Sequence, residues 1–361
     1  MSNFAAIFRI TIIMRKHLSA ILYIAILLVI AFLVFYLSCV PDVMTTSRGA
    51  DSQNVEAVLG RPFDAMDVPA GNYSGIVRLG GNRYALVSDK AEHGGYFIFN
   101  IDIDDSGNIV SVSSRGFRKL EEENIDEEAI AYDKDNHNIY IGKEETTEIV
   151  RYDILDGRKN GQVVVTDYRD RGLDNRTIES LTFDTKRMSV FTINEGPLVG
   201  DNGLMLRLME FTPNLNLKKQ YTYILDMPLD DSPTNDDSHV FGVAELLSLG
   251  DGTLLVLERE FKMAGMKVGS WVMNKIFRIT PGNPEKTFVT GWRTVLGASE
   301  SGIANYEGMC LGPKLPDGRQ VIILCADSQG RYMGVLHDWF RISVIHLALS
   351  VICGCDERQP P

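Results

Sequence analysis

The sequence predicts an all-β fold, a β-propeller of five four-stranded blades preceded by an N-terminal hydrophobic signal or anchor helix. A pattern of two strand-like runs around a turn recurs five times, beginning at positions 74, 128, 179, 244 and 307. The intervals of 51 to 65 residues suit propeller blades. Further short strand signals follow each pattern, and no long amphipathic helix is predicted between them. A sixth blade stays open, because either of the two longer intervals could contain one.

Residues 1–40 are predicted to be a signal peptide or membrane anchor. A basic tripeptide at 15–17 precedes an uncharged apolar run at 18–40, which is long enough to span a bilayer. The residues before Cys39 resemble a bacterial lipoprotein cleavage site, and an uncleaved signal anchor is the equal alternative. Met14 is an alternative start of the chain. Either anchor predicts a body that is exported in a bacterium and held at the membrane, in the periplasm or on the cell surface.

The rest of the chain divides into a polar linker at 41–53, the propeller at 54–345 and an apolar C-terminal tail at 346–361. The second strand of each repeat is a short apolar run; these runs lie at 84–87, 138–141, 189–193, 253–257 and 321–324. The last repeat supplies only three strands of its blade. The missing outer strand is expected from the N-terminal side, near Val55 to Phe63, because propellers close by pairing the two chain ends.

The charge balance limits the partners of this protein. The chain has 36 Lys and Arg against 48 Asp and Glu, a formal net charge of -12. Such an acidic protein is a poor match for the phosphate backbone of nucleic acids. The expected partners are a small phosphorylated substrate or a surface ligand, together with the membrane through the N-terminus, and the protein is expected to be a monomer.

Two of the five cysteines are predicted to be neighbours in the fifth repeat. Cys310 and Cys325 lie at equal distances from the turn between them, so they are expected on adjacent strands. Oxidation outside the cytoplasm is conceivable. Directly opposed strand cysteines make a strained bridge, so two buried thiols are favoured.

Acidic residues mark the two ends of each repeat. In a hairpin, the start of the first strand and the end of the second lie at the same end. Eight of these ten positions are acidic, and the other two are Ser74 and Ala244. The acids are Asp89, Glu128, Glu144, Glu179, Glu195, Glu258, Glu307 and Asp327. If the first strand of each blade is innermost, these side chains are predicted to meet at one mouth of the central channel.

Carboxylates in such a ring repel one another. The repulsion between two charges about 4 Å apart costs about 4 kcal/mol at an effective dielectric constant of about 20, so it must be compensated. A hard cation such as Ca²⁺ could bind the carboxylates, or protons could be shared among them. Ion pairs with Lys90, Lys143 or Arg259 are a third option, which the alternation of side chains along a strand disfavours. A structural alternative is that a given Glu caps backbone N–H groups of the neighbouring blade.

Several segments of the repeats resemble one known family, the bacterial phytase-like or "esterase-like activity of phytase" domain. They are Asp126-Glu-Glu-Ala-Ile-Ala-Tyr-Asp, Ile178-Glu-Ser-Leu-Thr-Phe-Asp, Asn194-Glu-Gly-Pro-Leu, Leu255-Val-Leu-Glu-Arg-Glu and Asn305-Tyr-Glu-Gly-Met. The resemblance extends over roughly residues 73–334. It implies a propeller-like fold and a phosphoesterase site built from the recurring acids. Ser74 and Ala244 depart from the acidic pattern.

The ring and the resemblance together give two sets of candidate residues. The catalytic candidates are Glu128, Glu179, Glu307 and Arg259, and the candidate ligands of Ca²⁺ are Asp89, Glu144, Glu195, Glu258 and Asp327. The predicted function is a metal-assisted phosphoesterase of an exported, membrane-tethered propeller protein. A non-catalytic surface-binding propeller and a calcium lactonase-like hydrolase are the alternatives.

Overall fold

The computed structural model describes residues 26, 57–59, 63–64, 71–229, 238–265, 267–296, 303–329, 336 and 339–345. Apart from position 26, the predicted anchor (1–40), the linker (41–53) and the tail (346–361) lie outside the described residues. Within the described ranges, no helix combines the length and the apolar character needed to cross a bilayer.

The described strands form five sheets, each of which is one blade. The chain begins with β1 (Ala57–Leu59) and β2 (Phe63–Asp64), which belong to the last blade. Blade 1 contains β3 (Tyr73–Gly80), β4 (Arg83–Ser88), β5 (Gly95–Ile103) and β6 (Ile109–Lys119). Blade 2 contains β7 (Glu127–Asp133), β8 (Asn138–Lys143), β9 (Glu148–Asp153) and β10 (Lys159–Val164). Blade 3 contains β11 (Thr182–Asp184), β12 (Ser189–Ile193), β13 (Met205–Phe211) and β14 (Leu217–Ile224).

The last two blades complete the ring. Blade 4 contains β15 (His239–Ser248), β16 (Leu254–Lys262), β17 (Trp271–Ile279) and β18 (Lys286–Val295). Blade 5 contains β19 (Asn305–Lys314), β20 (Gln320–Asp327) and β21 (Trp339–Ile345), with β1 as its outer strand and β2 also paired to β21. Five blades are therefore confirmed, and so is the prediction that a strand from the N-terminal side closes the ring.

The first strand of each blade is the innermost, as predicted. The inner strands β3, β7, β11, β15 and β19 contact one another in sequence, and β19 returns to contact β3. A separate cluster of buried apolar side chains fills each of the five interfaces between neighbouring blades. Each sheet is thus covered on both faces, which explains why strands such as β20 are apolar over consecutive residues and buried throughout.

One element was not predicted. A six-residue helix, α1 (Thr166–Arg171), lies between blades 2 and 3 and has no side-chain hydrogen bond at its N-cap. Its Tyr168 is buried, and the Tyr168 hydroxyl donates a hydrogen bond to the carbonyl oxygen of Arg207 at 2.5 Å. Tertiary contacts of this kind, rather than a local sequence signal, stabilise so short a helix.

The two cysteines of blade 5 lie on neighbouring strands, but they are not directly opposite each other. Cys325 pairs with Gly308, and Cys310 pairs with Ile323. Register shifts within the hairpin displace the pairing from the simple midpoint. Both thiols are free and buried, and burial raises their pKa. The expectation of two buried thiols is confirmed.

Candidate functional site

The inner strands carry a β-bulge at the position that begins each repeat. The pairing register shifts by one residue at Ser74, Glu128, Ala244 and Glu307. In blade 3 the same one-residue shift falls between the Ile178–Asn194 bridge and the ladder that begins at residue 182, around Glu179. A bulge leaves its extra residue unpaired and re-aims the side chain. The repeated sequence position is therefore a repeated backbone irregularity at the channel mouth.

A cavity of about 470 Å³ opens at this mouth. Glu128, Glu179 and Glu307 line it from the bulges of the inner strands. The other acids that line it are Asp89, Asp174, Glu195 and Asp327, and the described basic residues are Lys90, Arg176 and Arg259. Six of the eight predicted acids therefore meet around one cavity, while Glu144 and Glu258 do not line it.

Blade 4 places a cation, not an acid, at its mouth position. In each of the other blades, one residue at the end of the second strand pairs with the inner-strand residue that comes just before the bulge. The acid is the next residue along the chain. In blade 4 that pairing residue is Glu258, so Arg259 takes the mouth position. Its Nη1 donates hydrogen bonds to Glu307 Oε1 at 2.5 Å and Asn305 Oδ1 at 2.7 Å, and its Nη2 donates to Glu195 Oε1 at 2.7 Å. The expectation that alternation would point Arg259 away from the ring is wrong.

The assignment of Glu258 to the ring is wrong for the same reason. Its side chain lies on the other face of β16, where its carboxylate accepts hydrogen bonds from Tyr223 Oη and Lys286 Nζ, each at 2.6 Å. The backbone N–H of Asp226 donates a further bond at 3.0 Å. Glu258 is therefore fully engaged in packing blade 4 against the end of blade 3 and is not placed to bind a cation in the cavity.

Glu144 caps a backbone N–H group of the neighbouring blade, as in the structural alternative to a ring of ligands. Its Oε1 accepts a hydrogen bond from the backbone N–H of Thr177 at 2.6 Å, so it fastens blade 2 to the start of blade 3. Burial, with a contribution from nearby Glu195, raises the pKa of Glu144 to about 8. The neighbouring Lys143 points away from the ring and pairs with Glu122 at 2.9 Å.

Two carboxylates that line the cavity, Asp89 and Glu128, form a candidate cation site together with the adjacent Asp126. Asp89, Asp126 and Glu128 each offer one oxygen, and these oxygens lie within 4.8 Å of one another. Asp89 Oδ1 is buried and has no hydrogen-bond partner among the described residues. Ca²⁺ binds oxygen ligands at about 2.3–2.6 Å, so ligands on one ion lie within about 5 Å of each other. The donor set and its spacing fit this ion.

Asp126 was not among the predicted ligands. It precedes β7 and has a left-handed backbone with a φ of 56°, which turns the chain at the edge of the cavity. Lys90 forms salt bridges with both Asp89 and Asp126, the second at 3.6 Å. The sequence signal was present, since Asp126 lies two residues before Glu128 in an acidic run, but the turn could not be deduced from spacing.

Burial raises the pKa of several carboxyl groups in this ring. Burial is the main cause that raises the pKa of Glu128 and Glu179 well above the usual range, and neighbouring acids add to it. Burial and Asp327 raise the pKa of Glu307 to about 8, although Arg259 opposes the shift. Burial raises the pKa of Asp327 to about 6. The ring thus combines carboxyl groups with raised pKa values, an ion pair with Arg259 and a candidate cation site.

Comparison with known proteins gives one family and several distant folds. The family profile described as "Phytase-like: Esterase-like activity of phytase" matches residues 68–329. Among curated proteins, none matches this sequence. Three of the similar solved structures are Myxococcus xanthus glutaminyl cyclase, Kuenenia stuttgartiensis hydrazine synthase and the Cps50 (Swd1) β-propeller domain of Myceliophteria thermophila.

The likeness to these structures is weak. The glutaminyl cyclase has a TM-score of 0.41 and 12% identity, with 81% of this chain and 98% of that chain covered. The hydrazine synthase has a TM-score of 0.36 and 10% identity, with 75% and 80% covered. The Cps50 domain has a TM-score of 0.35 and 9% identity, with 80% and 100% covered. Scores this low support no inference about the chemistry of this chain.

Proposed function

Because this chain belongs to the phytase-like family, described by its esterase-like activity, we propose that its acidic cavity hydrolyses phosphate esters with the aid of bound Ca²⁺. The observation that carries the proposal is the close approach of Asp89, Asp126 and Glu128 beside buried carboxyl groups whose pKa is raised by burial. Cation ligands and proton donors in one cavity are the groups that metal-assisted ester hydrolysis requires.

Asp89, Asp126 and Glu128 would hold the cation, which would neutralise phosphate oxygens and lower the pKa of a bound water molecule. Lys90, which pairs with Asp89 and Asp126, would have to release them for a cation to be held there. Its ammonium group would then be available at the rim of the cavity to attract the phosphate group.

The remaining side chains supply proton transfer and orientation. Glu179 is 6% exposed, and burial raises its pKa well above the usual range, which favours the protonated form that can donate a proton to the leaving oxygen. Glu307, whose pKa is about 8, can accept the proton of the attacking water once part of its population is ionised. Arg259 orients Glu307, and two of the five N–H groups of a guanidinium lie beyond its three hydrogen bonds to the ring and can donate to phosphate.

The experiment is a hydrolysis assay with p-nitrophenyl phosphate and bis(p-nitrophenyl) phosphate, with CaCl₂ or with EDTA. We expect turnover that requires calcium and that falls at least 100-fold in Glu179→Gln. The exposed Glu285→Gln provides the matched control. No turnover of either ester under any calcium concentration would refute the catalytic proposal.

A binding propeller without catalysis is the second candidate, because Ser74 and Ala244 replace acids in two repeats. The same variant separates the two functions. If the protein is an enzyme, Glu179→Gln lowers turnover. If the ring is only structural, the same variant changes the melting temperature, and neither the variant nor the unaltered protein shows turnover.

We also propose that the propeller is exported and tethered by its N-terminal segment, which rests on the uncharged apolar run at 18–40. Fractionation of cells that express the full chain tests this directly. If a lipid on Cys39 anchors the protein, a labelled fatty acid should be incorporated into the unaltered chain and not into Cys39→Ser. If the segment is an uncleaved anchor, neither protein should be labelled at this position, and both should stay membrane-bound. Recovery of the unaltered protein in the cytoplasmic fraction would refute export.

A further inference from the structure

A second cavity adjoins the acidic one and differs from it in character. It has a volume of about 340 Å³, and most of its lining is apolar. Val240, Phe261, Val272, Leu296 and Ile303 provide that lining. Val240, Arg259, Asn305 and Gln329 line both cavities, so the apolar space opens directly beside the guanidinium that pairs with Glu195 and Glu307.

The strands of blade 4 build this apolar wall. The second strand of blade 2 ends at Lys143, just before the mouth position, whereas β16 continues for three residues beyond Arg259 to Lys262. Its partner β15 correspondingly begins five residues before the bulge at Ala244. The blade 4 sheet therefore rises above the mouth of the channel.

The pairing register of β15, β16 and β17 places three apolar side chains on the sheet face that lines the apolar cavity. Phe261 lies two residues after Arg259, so both side chains are on one face of β16. Val240 and Val272 are the cross-strand neighbours of Phe261 on its two sides. Glu260, on the opposite face, accepts hydrogen bonds from the backbone N–H of Leu229. The polar and apolar faces of this extension are therefore separated.

We infer that the substrate is an amphiphilic phosphate ester, whose phosphate enters the acidic cavity while its apolar alcohol group packs against Phe261, Val240 and Val272. This inference rests on the proposed function, because it assigns the substrate class of the same site. The volume of the apolar space is near the lower end of the range of about 300–1,000 Å³ for ligand pockets, which suits one ring or a short chain.

Charge argues in the same direction. Seven acids and three bases are described around the acidic cavity, so it suits a single phosphate group neutralised by a cation better than a molecule with many phosphates. A polyphosphorylated sugar alcohol would place additional negative charges against the acids on one side and against Phe261 and its apolar neighbours on the other.

The test compares ligands that share one phosphonate head. Ethylphosphonate, hexylphosphonate and phenylphosphonate are titrated into the full-length protein with CaCl₂ by calorimetry, and inositol hexakisphosphate is included as the polyanion. We expect hexylphosphonate or phenylphosphonate to bind at least 10-fold more tightly than ethylphosphonate. A preference for the alkyl or the phenyl compound distinguishes a chain from a ring as the natural group.

Variants locate the preference. Phe261→Ser should reduce the hexyl-to-ethyl affinity ratio to about 2 or less, and Val240→Thr, which conserves volume and is expected to fold, should reduce it in the same direction. Leu217→Ser, at an exposed leucine on β14, is the matched control and should preserve the ratio. Melting curves check that each variant is folded.

The outcomes are distinguishable from those of the hydrolysis assay. Equal affinity for the ethyl and hexyl compounds, the absence of binding by both, or tightest binding of inositol hexakisphosphate would overturn the inference even if an ester is hydrolysed. A hexyl preference that depends on Phe261 supports it even if no turnover is found, in which case only the catalytic proposal fails.

Discussion

We expect the calcium-free protein to become less stable as the pH rises from 5 to 8, because burial raises the pKa of carboxyl groups in the ring. A carboxyl group whose pKa is higher in the folded than in the unfolded chain binds more protons when folded, so the free energy of unfolding falls with pH between the two values. For Glu307 these values are about 4.5 and about 8, and for Asp327 about 3.8 and about 6. Each such group contributes a loss of about 1.4 kcal/mol per pH unit within its interval.

The magnitude therefore changes along the pH scale. Between pH 5 and 6, Glu307 and Asp327 together lower the free energy of unfolding by up to about 3 kcal/mol. Glu127 and Glu144, whose pKa values are raised to about 7 and about 8, add to this loss. Above pH 6 only groups with higher pKa values continue to contribute, among them Glu307 and Glu144. The groups whose pKa is lowered to about 2, Glu122 and Asp201, titrate well below this window and do not offset the loss.

Urea unfolding followed by tryptophan fluorescence in EDTA at pH 5.5, 6.5 and 7.5 measures this slope. Glu307→Gln should reduce the slope by about 1.4 kcal/mol per pH unit. The exposed Glu285→Gln should leave it unchanged, because that carboxylate is in water in both states. Calcium should stabilise the protein more at pH 7.5 than at pH 5.5, since protons compete with the ion. A free energy of unfolding that is constant or rises over this range would refute the reasoning.

Three further outcomes are expected. Gly308→Ala should lower the free energy of unfolding by about 1–3 kcal/mol, because the added Cβ would lie 2.5 Å from Cys325 Sγ. Gly203→Ala, where the added Cβ meets open space, should leave the free energy unchanged. Equal urea midpoints for the two variants would contradict this. Arg259→Lys should lower kcat/KM for p-nitrophenyl phosphate at least 10-fold, because an ammonium cannot bridge Glu195 and Glu307 in the same way; unchanged kinetics would count against an orienting role. Cys310 and Cys325 should resist labelling by a thiol reagent until urea is added, as peptide mapping would show, and rapid labelling of the folded protein would disprove their burial.

Much of the fold was predictable because each blade repeats the same local signals. Apolar β runs separated by turn residues defined the hairpins, and their spacing defined five blades. The strand that closes the ring was predictable because the last repeat lacked a partner, which β1 supplies by pairing with β21. Helix α1 was not predictable, because its stability depends on contacts such as the hydrogen bond between Tyr168 and Arg207.

The site was predictable in its location but not in its detail. Symmetry about a turn places the ends of two strands together, which correctly brought Glu128, Glu179 and Glu307 to one mouth. Symmetry about the turn does not reveal whether a strand contains the extra residue of a bulge. That single residue decides whether Glu258 or Arg259 faces the cavity in blade 4, and only the pairing register reveals it. The contribution of Asp126 depends on a left-handed turn that spacing does not encode.

The substitution of Arg259 for an acid divides the ring into two unequal halves. On the side of blades 3 to 5, Arg259 already compensates Glu195 and Glu307. On the side of blades 1 and 2, the described cation is the exposed Lys90, which pairs with Asp89 and Asp126 and would have to move aside for a bound cation. A phosphate between the halves would thus have the candidate cation site on one side and the Arg259 guanidinium on the other. Because the apolar wall of blade 4 lies beside that guanidinium, the alcohol group of the substrate would pack over Phe261.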